Sequence, residues 1–342
     1  MRQFLFLISF ISLLHSISHA QTIGGNSTYN FLKLPNTPQL TALGGINISN
    51  QNTDASLAFN NPALLRDSMS SQLTAVFNSF YAGIKNYHAF IAQHSNKLDA
   101  NFALGINFFN YGNTQQTDAA GNVIGNFHPV DYVVQFSAEK QYEEQWYYGL
   151  AVKYISSSYA QYKSSAIAAD FGVTYTDEKN ALQIGFVAKN MGVQLKTYSG
   201  QKEDLPFDVQ LGISKKLLHA PIQFSLTAQH IHQLDIRYDD TTFNNEINSD
   251  RHTTNKIIQH LIAAVQVYFG NKIEFTAGYN FLRRSELNIT TAGNGLNGLS
   301  VGLGATFSKL QVRYARAYYQ NNTAYNQLGI NIKLDDYFDF FK

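Results

Sequence analysis

From residue 72 onward the chain is a series of stretches, each of roughly ten residues, in which apolar and polar side chains alternate. The gaps between them are by turns tight and long. Alternation with period two places successive side chains on opposite faces of a strand. Phe102, Leu104, Ile106 and Phe108 interleave with Asn101, Ala103, Gly105 and Asn107. Leu299, Val301, Leu303, Ala305 and Phe307 interleave with Ser300, Gly302, Gly304, Thr306 and Ser308. Fourteen strands are predicted, at 72–80, 84–94, 99–111, 130–142, 145–157, 166–176, 180–190, 207–217, 221–232, 257–269, 272–282, 296–307, 309–319 and 324–334. The chain therefore reads as all-β, a transmembrane antiparallel β-barrel with an even strand count.

The gaps carry the orientation. Lys140–Trp146, Thr176–Asn180, Leu217–Pro221, Gly270–Asn271 and Ser308 are tight, whereas 112–129, 191–206, 233–256 and 283–295 are long and polar. In an outer-membrane barrel the short turns face the periplasm and the long loops face outside. Both termini are then expected in the periplasm of a bacterial outer membrane. No apolar run after the N-terminal stretch approaches the roughly 20 residues that a membrane-spanning helix needs. Lipid satisfies no backbone polar group, so strands cross it only by pairing all the way round.

Composition agrees. Charged residues make up 14% of the chain, against about 25% in ordinary soluble domains. Aromatic residues make up another 14% and gather at strand ends, where amphipathic rings favour the membrane interface. Tyr142, Trp146, Tyr147, Tyr148, Tyr268 and Phe269 are expected as one girdle. Phe109, Tyr111, Tyr154, Phe281, Tyr318 and Tyr319 are expected as the other. A soluble β-sandwich would need an opposed sheet, for which the gap parity gives no sign. Arg316 falls on the lipid face by parity; it either snorkels to the headgroups or is turned inward by a bulge.

Residues 1–20 read as a signal peptide. Arg2 is the charged start, Phe4–Leu14 the apolar stretch and Ser18-His19-Ala20 the cleavage site. No cysteine follows, or occurs anywhere, which excludes a lipid anchor, disulfides and thiolate metal sites. Without Arg2, the 25 basic residues become 24 and match the 24 acidic ones. No basic face points to a nucleic-acid partner.

The inward positions are small or polar, with charges at Asp131, Glu139, Lys153, Asp170, Lys189, Asp208, Glu274 and Arg313. Both signs are present, so these either pair with one another or line a wet channel. Residues 21–71 form a Gly-, Asn- and Ser-rich segment ahead of the barrel at 72–342. We expect it to enter the lumen as a plug or to cover the periplasmic mouth. Leu57-Ala58-Phe59 and Ala63-Leu64-Leu65 would anchor it.

Chemistry-bearing motifs are few. His230 and His232 share a strand face, as metal ligands do. Parity, however, sets them with Phe224 and Leu226 on the lipid side, as interfacial imidazoles, and His260 is read the same way. No nucleophile, base and orienting group are marked out by spacing, and there is no phosphate-binding glycine loop or zinc motif. No catalytic residue, cofactor or metal is therefore expected, and the chain reads as non-enzymatic. The loop at 233–256 is the longest and most charged. Arg237, Asp239, Asp240, Glu246, Asp250 and Arg251 are its candidate partner-binding residues, since loops on rigid scaffolds often carry binding.

Ile23-Gly24-Gly25-Asn26-Ser27-Thr28-Tyr29-Asn30-Phe31-Leu32-Lys33-Leu34-Pro35-Asn36, followed by Ala42-Leu43-Gly44-Gly45, resembles the start of the PorQ family of the type IX secretion system. Asp54 to Leu65, with Asn61-Pro62-Ala63 at its centre, resembles the element shared more widely by PorV and FadL-like barrels. The resemblance implies a 14-stranded FadL-like barrel in an attachment complex. Such a barrel would anchor a PorZ-like surface protein beside PorU and PorV, while cargo is processed and joined to lipopolysaccharide. The chain departs from many such barrels in ending Phe340-Phe341-Lys342 rather than on an aromatic residue. The alternative is a FadL-like channel for uptake of hydrophobic small molecules, which needs an apolar pocket inside the barrel. The polar inward face weighs against that, unless the N-terminal segment supplies the apolar lining.

Overall fold

The computed structural model describes residues 27–50, 54–80, 83–236, 253–270, 272–287, 296–307, 310–320 and 323–336. Fourteen strands close into one antiparallel barrel. They are β1 (Gln72–Ser79), β2 (Lys85–Ser95), β3 (Ala100–Asn110), β6 (Val130–Tyr142), β7 (Trp146–Tyr159), β8 (Tyr162–Asp177), β9 (Leu182–Lys196), β10 (Asp208–Lys216), β11 (Ile222–Ala228), β12 (Leu261–Phe269), β13 (Ile273–Asn280), β14 (Leu299–Thr306), β15 (Leu310–Gln320) and β16 (Thr323–Lys333). Each pairs with its neighbours along the chain, and β1 closes the ring on β16. Within the long gap after β3, β4 (Thr114–Thr117) and β5 (Val123–Phe127) form a separate hairpin. No described helix is long and apolar enough to cross a membrane.

Every predicted strand is present, most within a few residues of its expected bounds. The largest departure is β9, which runs on to Lys196 instead of ending at 190, so that the gap predicted at 191–206 is partly strand. β11 ends at Ala228 instead of 232, because His230 takes φ 53° and turns the chain out of the strand. β12 begins at Leu261 instead of 257, because Thr253–Gln259 is helical.

The alternation does what a membrane barrel requires. Leu104, Phe136, Leu150, Val152, Phe224, Leu303 and Leu328 stand exposed on the outer wall. Their strand neighbours are buried inside. Arg316 also faces outward, and its guanidinium lies 5.4 Å from the centre of the Tyr318 ring. The aromatic girdles need correction, because parity outranks position at a strand end. Tyr147 and Phe109 face the lumen and are buried. Tyr111 turns inward to donate to Asp131 Oδ2 at 2.6 Å. Tyr268 reaches Gln223 Oε1 at 3.4 Å, and Tyr319 packs on Tyr325, so both are interior as well. Tyr142, Trp146, Tyr148, Tyr154 and Phe269 remain exposed on the outer wall.

Residues 27–50 and 54–71 lie within the ring of strands. Their contacts run round the wall, from β2, β6, β7 and β8 to β13, β14, β15 and β16. The segment is built of short capped turns. Thr37 caps the helix Pro38–Ala42 by accepting from the Leu40 amide. Asn61 caps Pro62–Leu64, with proline at the first helical position where no amide is missed. Leu57, Ala58, Ala63, Leu64 and Leu65 are buried. Lumen-facing glycines make room for the segment. A Cβ on Gly149 would collide with the Pro62–Ala63 backbone, and one on Gly278 with the backbone at Gly44.

All eight inward charges are buried. Lys153 Nζ lies 2.5 Å from Asp170 Oδ2. Arg313 bridges Asp54 of the N-terminal segment at 3.2 Å and Glu274 of β13 at 3.6 Å. Glu139 accepts from Asn101 at 2.7 Å. Lys153, Asp170, Glu274 and Arg313 thus pair with opposite charges, whereas Glu139, Asp131 and Lys189 are held by neutral hydrogen-bonding partners.

Candidate functional site

A cavity of about 280 Å³ opens at the end of the barrel that carries the long loops. Its floor is the N-terminal segment: Leu32, Lys33, Leu34, Pro35, Gly45, Ile46 and Asn60. Its wall is Lys189 and Asn190 of β9, Asp208 and Gln210 of β10, and Gln229 and His230 where β11 ends. Leu282, Arg283, Glu286 and Leu287, which follow β13, complete it. The apolar lining comes mainly from the N-terminal segment and the loops, and the polar lining from the strands and the residues that follow them.

The wall at Lys189–Asn190 is a β-bulge. Phe171 of β8 pairs with Ala188 and Ala169 pairs with Met191, so two residues of β9 stand against Asp170. Asn190 takes φ 57°, and the bulge turns both Lys189 and Asn190 inward. The arrangement is locked by polar contacts. The Asn190 amide donates to Asp170 Oδ1 at 2.7 Å, and its Nδ2 donates to Pro206 O at 2.9 Å. Lys153 Nζ donates to Asn190 Oδ1 at 2.9 Å. Lys189 Nζ donates to Asn60 Oδ1 at 2.9 Å and so ties the wall to the floor.

Opposite, Asn280 caps the short helix Phe281–Glu286 by accepting from the Arg283 amide at 2.9 Å. Arg283 is buried. It donates to Gly44 O at 2.8 Å and to Ser300 Oγ at 3.0 Å, and it stacks 4.3 Å over Tyr319. Partial desolvation pushes the Lys33 ammonium down, and Glu286 opposes that shift. Desolvation likewise pushes the Glu286 carboxyl up, with His230 and Lys33 pulling it back.

The histidines are not where parity alone puts them. With the strand ended at Ala228, His230 Nδ1 lies 3.2 Å from Asp208 Oδ1 instead of facing lipid. His232 packs edge-on to Phe207, with ring centres 4.9 Å apart. His260 is buried, its Nδ1 2.7 Å from Gln229 O. The candidate partner-binding residues Arg237, Asp239, Asp240, Glu246, Asp250 and Arg251 lie outside the described residues. Of the cavity's lining, strand parity marks Lys189 and Asp208 as inward charges. Ile46 and Leu282 carry no signal in the sequence beyond being apolar within polar surroundings.

No protein-family model and no curated protein matches the chain. Solved structures do. The chain is similar to the CymD monoaromatic hydrocarbon channel at 13% identity and TM-score 0.53, over 88% of this chain and 97% of that one. It is similar to a deltaS2S3 mutant of the TodX monoaromatic hydrocarbon channel at 11% identity and TM-score 0.52, over 87% and 98%. The likeness is one of fold, a closed antiparallel β-barrel. Within this barrel, described residues of both N-terminal resemblances are buried. Phe31 and Leu43, of the stretch that resembles the PorQ family, and Asp54, Asn61 and Ala63, of the element resembling that of PorV and FadL-like barrels, lie buried in the lumen.

Proposed function

We propose that this barrel is a non-enzymatic channel for the uptake of hydrophobic small molecules, which enter through the cavity at the long-loop end. That end would face the outside, with both termini in the periplasm. The observation that supports this most is the origin of the lining. The strands alone present a polar interior, and Leu32, Leu34, Pro35 and Ile46 of the N-terminal segment turn one end of it into a partly apolar cavity. Apolar lining combined with placed polar groups suits a small organic ligand. The likeness in fold to the hydrocarbon channels points the same way. Because the segment fills the lumen below the cavity, passage onward requires the segment to shift or the wall to open.

Organic extraction of the barrel purified in mild detergent, read by mass spectrometry, tests the proposal. A stoichiometric apolar or amphipathic molecule is expected from the native protein. It should be lost when Leu34 and Ile46 are both replaced by Trp. A lumen free of any such molecule would count against the channel.

A second reading, anchorage of a PorZ-like surface protein beside PorU and PorV, rests on the N-terminal resemblance. A pull-down in mild detergent that recovers a large surface protein, and loses it when 233–256 is shortened, would favour anchorage. Recovery of the barrel alone would favour the channel.

A further inference from the structure

We infer that Asp208, His230 and His232 form a site for one divalent transition-metal ion of the zinc class. The inference stands apart from the channel reading and does not need it. Asp208 opens β10 on the inner face of the wall, and the turn at His230 brings the two histidines back onto it. One ligand atom from each of the three lies within 4.8 Å of the other two.

The spacing already approaches that of a coordination shell. Two ligands held about 2.1 Å from one tetrahedral ion stand roughly 3.4 Å apart. His230 Nδ1 and Asp208 Oδ1 are separated by 3.2 Å. His232 is the exposed member, so rotation of its side chain can close the remaining gap without repacking a core.

The carboxylate is also held from behind. Gln210 Nε2 donates to Asp208 Oδ2 at 2.6 Å, and the His230 amide donates to Oδ1 at 2.7 Å. Hydrogen bonds of this kind orient a ligating carboxylate. Two imidazoles and one carboxylate, with a fourth position left for water, suit zinc and its neighbours rather than magnesium or calcium, which seek oxygen. An ion there would fasten the chain leaving β11 to the root of β10. It would sit in the cavity wall, to which Asp208 and His230 belong.

The test uses the full mature chain in detergent, carrying no histidine tag, stripped with chelator and titrated calorimetrically with zinc chloride alone. One saturable equivalent of zinc is expected, weakened at least about tenfold in H232Q. Because His232 is exposed, that variant should keep the barrel folded, which heat-dependent electrophoretic mobility verifies. Absence of a saturable equivalent in the native protein would overturn the inference. So would an unchanged affinity in the folded H232Q variant, since the ion would then be bound elsewhere.

Discussion

Individual residues show both the power and the limit of reading alternation. Parity identified all eight inward charges correctly, because within an extended strand the face is fixed by counting. It failed at His230, because one residue at φ 53° ends the extended backbone on which counting depends. Nothing in the type of residue announces that turn. The charges themselves make a sharp prediction. Arg313 is 4% exposed and joins Asp54 to Glu274. Removing it strands two carboxylates in the interior, so Arg313→Ala should lower stability by about 3–5 kcal/mol. Trp146 is the one tryptophan of the chain, and its fluorescence during urea unfolding in detergent reports the change. A loss below about 1 kcal/mol, the worth of an exposed pair, would show that the site is wetter than its burial indicates.

Among the elements, the N-terminal segment and the wall are shaped for each other. The inward glycines were legible as small residues on the polar face. Their partners were not, because a Gly- and Asn-rich segment has no periodicity from which to derive its path. Gly149 is the clearest case, since the Pro62–Ala63 backbone occupies the place of its Cβ. Gly149→Leu should therefore leave the barrel closed while forcing this part of the segment off the wall. Arg66 reads out the displacement. It is 8% exposed, donates to the Ala63 and Leu65 carbonyls at 2.7 and 2.6 Å, and stacks 3.4 Å over Tyr147. Trypsin should cut after Arg66 in Gly149→Leu and spare it in the native protein. Equal cleavage in both would mean that the segment leaves the lumen readily without any such push.

At the scale of the whole molecule, the barrel was readable and the cavity was not. Even strand count and alternating gap lengths are properties of the linear chain. A cavity drawing Leu34, Ile46, Lys189, Asp208 and Leu282 from separate elements depends on height within the barrel, which parity does not encode. The central claim is that this cavity admits hydrophobic molecules. The most direct measurement is the initial rate of uptake of a radiolabelled alkylbenzene by whole cells. It compares cells bearing the native barrel, cells bearing the Leu34→Trp/Ile46→Trp variant at equal abundance, and cells lacking the barrel. The channel account predicts that the native barrel raises the rate several-fold over barrel-free cells, and that the filled cavity returns it to their level. A native rate no higher than that of barrel-free cells would contradict it.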